Sequence, residues 1–161
     1  MATIQRSPAE NLTAREIVLS RAVEAPRELV WRAWTDPLQL ARWWGPRGFT
    51  TPVCEVDVRP GGRIRIHMRA PDGTVYPMVG VYEEAVPPAR LVFASTALDP
   101  AGTALFEQHN AVTLVEAGGQ TIVTMRARIV KVLTPAAAPY LAGMDEGVAQ
   151  TLDRLEELLK A

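Results

Sequence analysis

Apolar and polar residues alternate along most of this chain, and the period changes near its end. Arg15 to Val23 alternates imperfectly and reads as a strand. Ala25-Pro26-Arg27-Glu28 then opens a helix, because Pro26 suits a first helical position and Glu28 the N-terminal turn. Val30, Ala33 and Trp34 share one face of it by their i, i+3, i+4 spacing. Asp36 is placed to cap a second short helix, with Pro37 as its first residue. Leu38, Ala41 and Arg42 follow one another on one side, and Gly45-Pro46 stops the helix.

Period two follows. Thr51 to Val58 reads as a strand, Pro60-Gly61-Gly62 as a turn, and Arg63 to Arg69 as a half-buried strand. In it Ile64, Ile66 and Met68 oppose Arg63, Arg65, His67 and Arg69. Pro71-Asp72-Gly73 is a hairpin turn signal, and Tyr76 to Glu84 returns. Pro87-Pro88 breaks the chain before a strand at Arg90 to Thr96, and Asp99-Pro100-Ala101-Gly102 is another turn. Leu105 to Glu116 and Thr121 to Val132 form a hairpin around Ala117-Gly118-Gly119. Strands joined consecutively by hairpins make an antiparallel meander.

From about Pro139 to Lys160 the period is helical. Leu141, Met144, Val148, Leu152, Leu155 and Leu159 form one stripe, with Asp145, Asp153, Glu156 and Glu157 opposite. Such a helix runs about 33 Å at 1.5 Å per residue. A compact domain of this size has a radius of gyration of roughly 15 Å, so the helix crosses nearly the whole molecule. Its stripe needs a partner of equal length, and the inner face of the sheet supplies one. The fold class predicted is α+β: a curved antiparallel sheet of six to seven strands gripping a long C-terminal helix, with two short helices after the first strand. Space left near those helices is a natural ligand cavity.

Composition narrows the function. The chain has 161 residues, enough for one domain, read as residues 15–161 after a flexible segment at 1–14. Lys+Arg 17 against Asp+Glu 18 gives a net charge of -1, which excludes a generally basic surface for nucleic acid. The single cysteine, Cys54, excludes an internal disulfide and reads as a small buried hydrophobe beside Val56 and Val58. With only two histidines, His67 and His109, no metal or cofactor site is expected. No Ser-His-Asp set or nucleotide fingerprint occurs. No apolar run suits a signal peptide or a membrane span, so a cytoplasmic protein is the default.

The candidate chemistry is sparse. Trp43 and Trp44 are adjacent and point differently, so one suits the core and the other a cavity rim. Inward Val112 and Leu114 would place Gln108 and Asn110 inside, as amides that orient a ligand or are satisfied by neighbours. His109 and Glu107 would then face out. The opposite register would bring Glu107 and His109 inside as an acid–base pair. Met68, Met78, Met125 and Met144 fall on apolar parities, where flexible thioethers suit either an adaptable pocket or a core. Tyr82 shares parity with Met78.

An ordered set of short motifs carries a resemblance. It comprises Arg21, Ala25-Pro26, Val30-Trp31, Ala33, Thr35-Asp36-Pro37, Trp43-Trp44-Gly45-Pro46, Asp57-Val58-Arg59-Pro60-Gly61-Gly62, Pro71-Asp72-Gly73, Gly80 and Pro87-Pro88-Ala89-Arg90-Leu91. Gly143-Met144-Asp145-Glu146-Gly147 and Leu152-Asp153-Arg154-Leu155 complete it. From about Arg15 to Leu159 the chain resembles single-domain relatives of the C-terminal domain of the activator of heat shock protein 90 ATPase, in the START-like (Bet v allergen-like) superfamily. That resemblance implies the helix-grip fold and a cavity for hydrophobic small molecules between sheet and long helix. Some members are cyclases or aromatases; others only bind. The co-chaperones carry a further N-terminal domain that grips the chaperone, for which this chain leaves no room. Relatives commonly carry Trp where this chain has Val148.

The first reading is therefore a binding domain for an apolar or amphipathic small molecule. Its lining is assigned to Trp44, Met68, Met78, Tyr82, Phe93, Gln108, Asn110, Met125, Met144 and Val148. The alternatives are a cavity enzyme of cyclase, aromatase or hydrolase type using Glu107 and His109, and a co-chaperone-like interaction module. A homodimer is compatible with so small a domain, but no sequence feature specifies its interface.

Overall fold

The computed structural model describes residues 16–160, so the reading of residues 1–14 as flexible falls outside the described residues. Its strands are β1 (Glu16–Val23), β2 (Thr50–Val56), β3 (Arg63–Arg69), β4 (Val75–Val86), β5 (Arg90–Leu98), β6 (Ala104–Ala117) and β7 (Gln120–Val132). They form one antiparallel sheet in the order β1-β7-β6-β5-β4-β3-β2. The first strand therefore lies beside the last. Between them the chain crosses from one sheet edge to the other through two helices, α1 (Arg27–Thr35) and α2 (Pro37–Trp43), and meanders back.

The local signals account for that corner. Pro26 sits at the N-cap of α1, one position earlier than expected, and Glu28 lies in the first turn. The Asp36 side chain accepts from the Leu38 backbone N–H at 3.0 Å, capping α2 over Pro37. Gly45 takes φ 97°, a left-handed conformation cheap only for glycine. Val30, Ala33, Trp34, Leu40 and Trp43 are buried against the sheet.

Alternation sorts the two faces of the sheet. Ile64 and Ile66 of β3, and Val123, Met125, Ala127 and Ile129 of β7, are buried. Arg63, Arg65, Arg126 and Arg128 are exposed on the other face. Burying such side chains is worth about 25 cal/mol per Å² of apolar surface removed from water. Irregularities in register occur between Tyr82 and Glu84 and between Glu107 and Gln108.

The C-terminal segment differs from the single helix expected. It comprises a 3-10 turn (Pro135–Ala137), a short helix α3 (Ala138–Ala142) and the long helix α4 (Met144–Leu159). Gly143, at φ −94° and ψ 4°, ends one helix and starts the next. The 16 residues of α4 span about 24 Å rather than 33 Å. The apolar stripe is divided accordingly. Leu152 and Leu155 join the main core, while Leu141 joins a satellite cluster with Leu105, Phe106, Ile129 and Ala137.

Candidate ligand site between sheet and helices

Three tryptophans organise the corner between α1 and α2. Trp34 and Trp43 meet edge to face with ring centroids 4.6 Å apart, and Trp44 closes the group at 5.8 Å from Trp43. Trp43 is core: it is fully buried and its indole N–H donates to the Ala33 carbonyl at 2.9 Å. Trp44 is half-buried at the C-cap of α2. The adjacent pair therefore divides its roles, as neighbours on a helix must.

Helix α4 holds this corner through Arg154. Its Nη1 donates to the carbonyls of Trp44 at 3.1 Å, Gly45 at 2.9 Å and Pro46 at 3.2 Å, and Nη2 to Arg42 at 3.2 Å. These are carbonyls at and beyond the end of α2, which lack helical partners. Burial and the neighbouring Arg47 charge pull the Arg154 pKa down, without threatening its charge. The Arg47 guanidinium grips the Glu157 carboxylate with both terminal nitrogens, and the Arg47 backbone N–H donates to Gln150 Oε1 at 3.1 Å. The sequence alone assigns no such role to Arg154. A lone arginine on the polar side of an amphipathic helix carries no signal of which carbonyls lie opposite.

Under the corner lies a gap of about 10 Å³ lined by Trp34, Leu40, Trp44, Ile64, Ile66, Met78, Tyr82, Leu91 and Phe93. Four residues assigned as lining thus meet there: Trp44, Met78, Tyr82 and Phe93. The Tyr82 and Phe93 rings pack edge to face at 6.0 Å. Burial pushes the Tyr82 phenol up, with the Cys54 and Asp57 charges adding to it, so the ring stays neutral. Trp34 is notable: its Nε1 is buried and has no hydrogen-bond partner among the described residues. Periodicity places Trp34 on the packed face of α1, where an indole N–H without a partner is not foreseeable.

The other assigned residues lie around this gap rather than on it. Met125 is buried core, and Met144 and Val148 are half-buried against the same core. Met68 is half-buried at the end of β3, against the Gly45 turn. Asn110 is buried, and its Nδ2 donates to the Phe93 carbonyl at 3.2 Å and Ser95 Oγ at 3.0 Å. The Gln108 amide donates to Asn110 Oδ1. These amides are satisfied by one another and by β5. Cys54 is half-buried, and burial raises its thiol to about 11.

Asn110, Val112 and Leu114 are buried, which settles the register of β6. Glu107 and His109 belong to the outer face. His109 Nε2 lies 3.2 Å from a Glu83 carboxylate oxygen, not beside Glu107. Both line a wide depression of about 770 Å³ on that outer face, with Arg63, Arg65, Val79, Val81, Ala94 and Thr96. Among the described residues no group of three or more His, Cys, Asp or Glu is placed to hold a metal ion. No described helix is long and apolar enough to cross a membrane.

The fold has relatives among solved structures. A crystal structure of a Nitrosomonas europaea protein is 29% identical, with a TM-score of 0.73 over 90% of this chain and 94% of that one. A Mycobacterium smegmatis protein is 26% identical, with a TM-score of 0.75 over 91% of each chain. A Silicibacter pomeroyi protein, described as AHSA1, has a TM-score of 0.74 over 90% of this chain and 97% of its own; at 22% identity it speaks to the fold alone. No curated protein matches. The shared fold is α+β with a helix on a curved sheet, and it is consistent with a ligand-binding domain. The family described as activator of Hsp90 ATPase homolog 1-like protein matches residues 24–160, and the chain belongs to that family.

Proposed function

We propose that the chain binds an apolar or amphipathic small molecule between the inner face of the sheet and the helices, with one hydrogen-bond acceptor directed to Trp34. The observation that carries this reading is the buried Trp34 indole N–H, which has no hydrogen-bond partner among the described residues. Leaving a buried donor unpaired costs roughly 1–3 kcal/mol, which an acceptor on a ligand recovers. The gap that Trp34 helps to line, about 10 Å³, approximates the space of one water molecule, for which about 10–15 Å³ is needed. A ligand therefore enlarges it. Met78, with its flexible thioether, and Trp44, at a helix end, are the wall residues suited to move. Apart from Tyr82 the lining holds no ionisable group, which favours binding over acid–base chemistry.

The test is a matched pair of probes, cyclohexanone and methylcyclohexane, in a thermal-shift assay. A ligand at a hundred times its Kd adds about 2.7 kcal/mol. For a chain of this length that is a rise in Tm of about 5–10 °C. The ketone should stabilise more than the hydrocarbon, and Trp34→Phe should remove the difference. If neither probe shifts Tm, the reading fails.

A further inference from the structure

The outer face of the sheet carries a charge pattern that repeats in reverse. The strand registers place six side chains in one row across the sheet: Glu55, Arg65, Val79, Thr96, Glu107 and Lys131. Read from β2 to β7 their charges are minus, plus, none, none, minus, plus. Read from the other end, every charge meets its opposite. The adjacent row obeys the same rule at its centre. Arg63, Val81, Ala94 and His109 follow one another there, and His109 carries the Glu83 carboxylate at 3.2 Å. Glu107 and Arg63 have no ion-pair partner among the described residues, and Val79 and Val81 are exposed.

We infer that this face docks onto a second copy of the chain, about a two-fold axis running parallel to the strands between β4 and β5. Such an axis lays β3 of one copy over β6 of the other, and β4 over β5. Arg65 then meets Glu107 of the other copy, Glu55 meets Lys131, Arg63 meets the His109–Glu83 pair, and Val79 and Val81 meet Thr96 and Ala94. An isologous interface requires a patch complementary to itself, and this row satisfies that requirement strand by strand. Strands aligned across the interface correspond to the aligned class of sheet packing. The short central side chains leave room for the long rim side chains to lie inward.

The size of the patch sets the strength. Five strand spacings are about 24 Å, and six residues of strand about 20 Å. The total area is about 1,000 Å², at the lower limit of specific interfaces. A weak dimer that loosens as salt rises is therefore expected. This inference does not depend on the ligand reading.

Sedimentation velocity on the full chain at low ionic strength tests it. The wild type should dimerise with rising concentration. Arg65→Glu and Glu107→Lys should each raise Kd by more than about tenfold, because each reversal creates two like-charge contacts across the axis. An equimolar mixture of the two variants should dimerise again. The two reversed side chains then face each other with opposite charge, while the unaltered Glu107 of one copy faces the unaltered Arg65 of the other. The double variant should do the same. A wild type monomeric up to about 1 mM overturns the inference. So do single variants that dimerise like the wild type, or a mixture that stays monomeric.

Discussion

Replacing Arg154 with alanine removes the contact that ties α4 to the tryptophan corner, and its cost follows from the geometry. Four carbonyls lie within 3.2 Å of its two terminal nitrogens. Nη1 has two hydrogens for three carbonyls, so the set counts as about three bonds rather than four. At about 0.5–1.5 kcal/mol net each, the raw loss is about 1.5–4.5 kcal/mol. Part of the guanidinium faces solvent, so water replaces some of these bonds and about 1–3 kcal/mol remains. That is a fall in Tm of about 2–12 °C for a chain of this length. Urea denaturation should show a lower midpoint at unchanged slope. Arg154→Lys should lose about half as much, because an ammonium cannot span carbonyls on both sides of the fork. Hydrogen exchange should rise at Trp44 to Gly48 in the alanine variant and not in β6 or β7. An alanine variant within about 0.5 kcal/mol of wild type would refute the reasoning.

Three further outcomes follow from other contacts. Gly62→Ala should be severely destabilised, by more than about 3 kcal/mol in urea melts, because its Cβ would stand 1.7 Å from the Asp57 carbonyl oxygen. Asn110→Ala should cost about 2–3 kcal/mol by the same measurement, since it strips partners from Ser95 and Gln108 within the sheet. Cys54 should react slowly with a disulfide reagent at pH 8. Its raised pKa means the folded state favours the thiol, so that contribution is whole below pH 9 and lost as pH rises towards about 11. Cys54→Ala should flatten part of the alkaline decline in stability.

How much is legible beforehand depends on whether a residue's neighbours in sequence are also its neighbours in space. Arg63 to Arg69 alternates cleanly, so β3 and its inner face are legible. The cap at Asp36 and the turn at Gly61-Gly62 are legible because each rests on local backbone demands. Glu107 to Asn110 has no apolar period. Its register follows from pairing Phe93 with Asn110 and Asn110 with Ala127, contacts between distant parts of the chain. The break at Gly143 is hidden because glycine is tolerated inside a helical stripe that continues on both sides of it. Of the assigned lining, Met68 and Met125 share the parity of the gap but lie away from it, since parity fixes a face and not a place along it.

The tryptophan corner has a spectroscopic consequence. All four tryptophans, Trp31, Trp34, Trp43 and Trp44, lie in or directly beyond α1 and α2. Intrinsic fluorescence therefore reports on this corner alone, while far-UV dichroism weighs the sheet and α4. Coincident transitions by the two signals would mean that the corner and the sheet melt as one cooperative unit. An earlier fluorescence transition would identify the corner as a separately opening part of the molecule, readable from the indoles without any label.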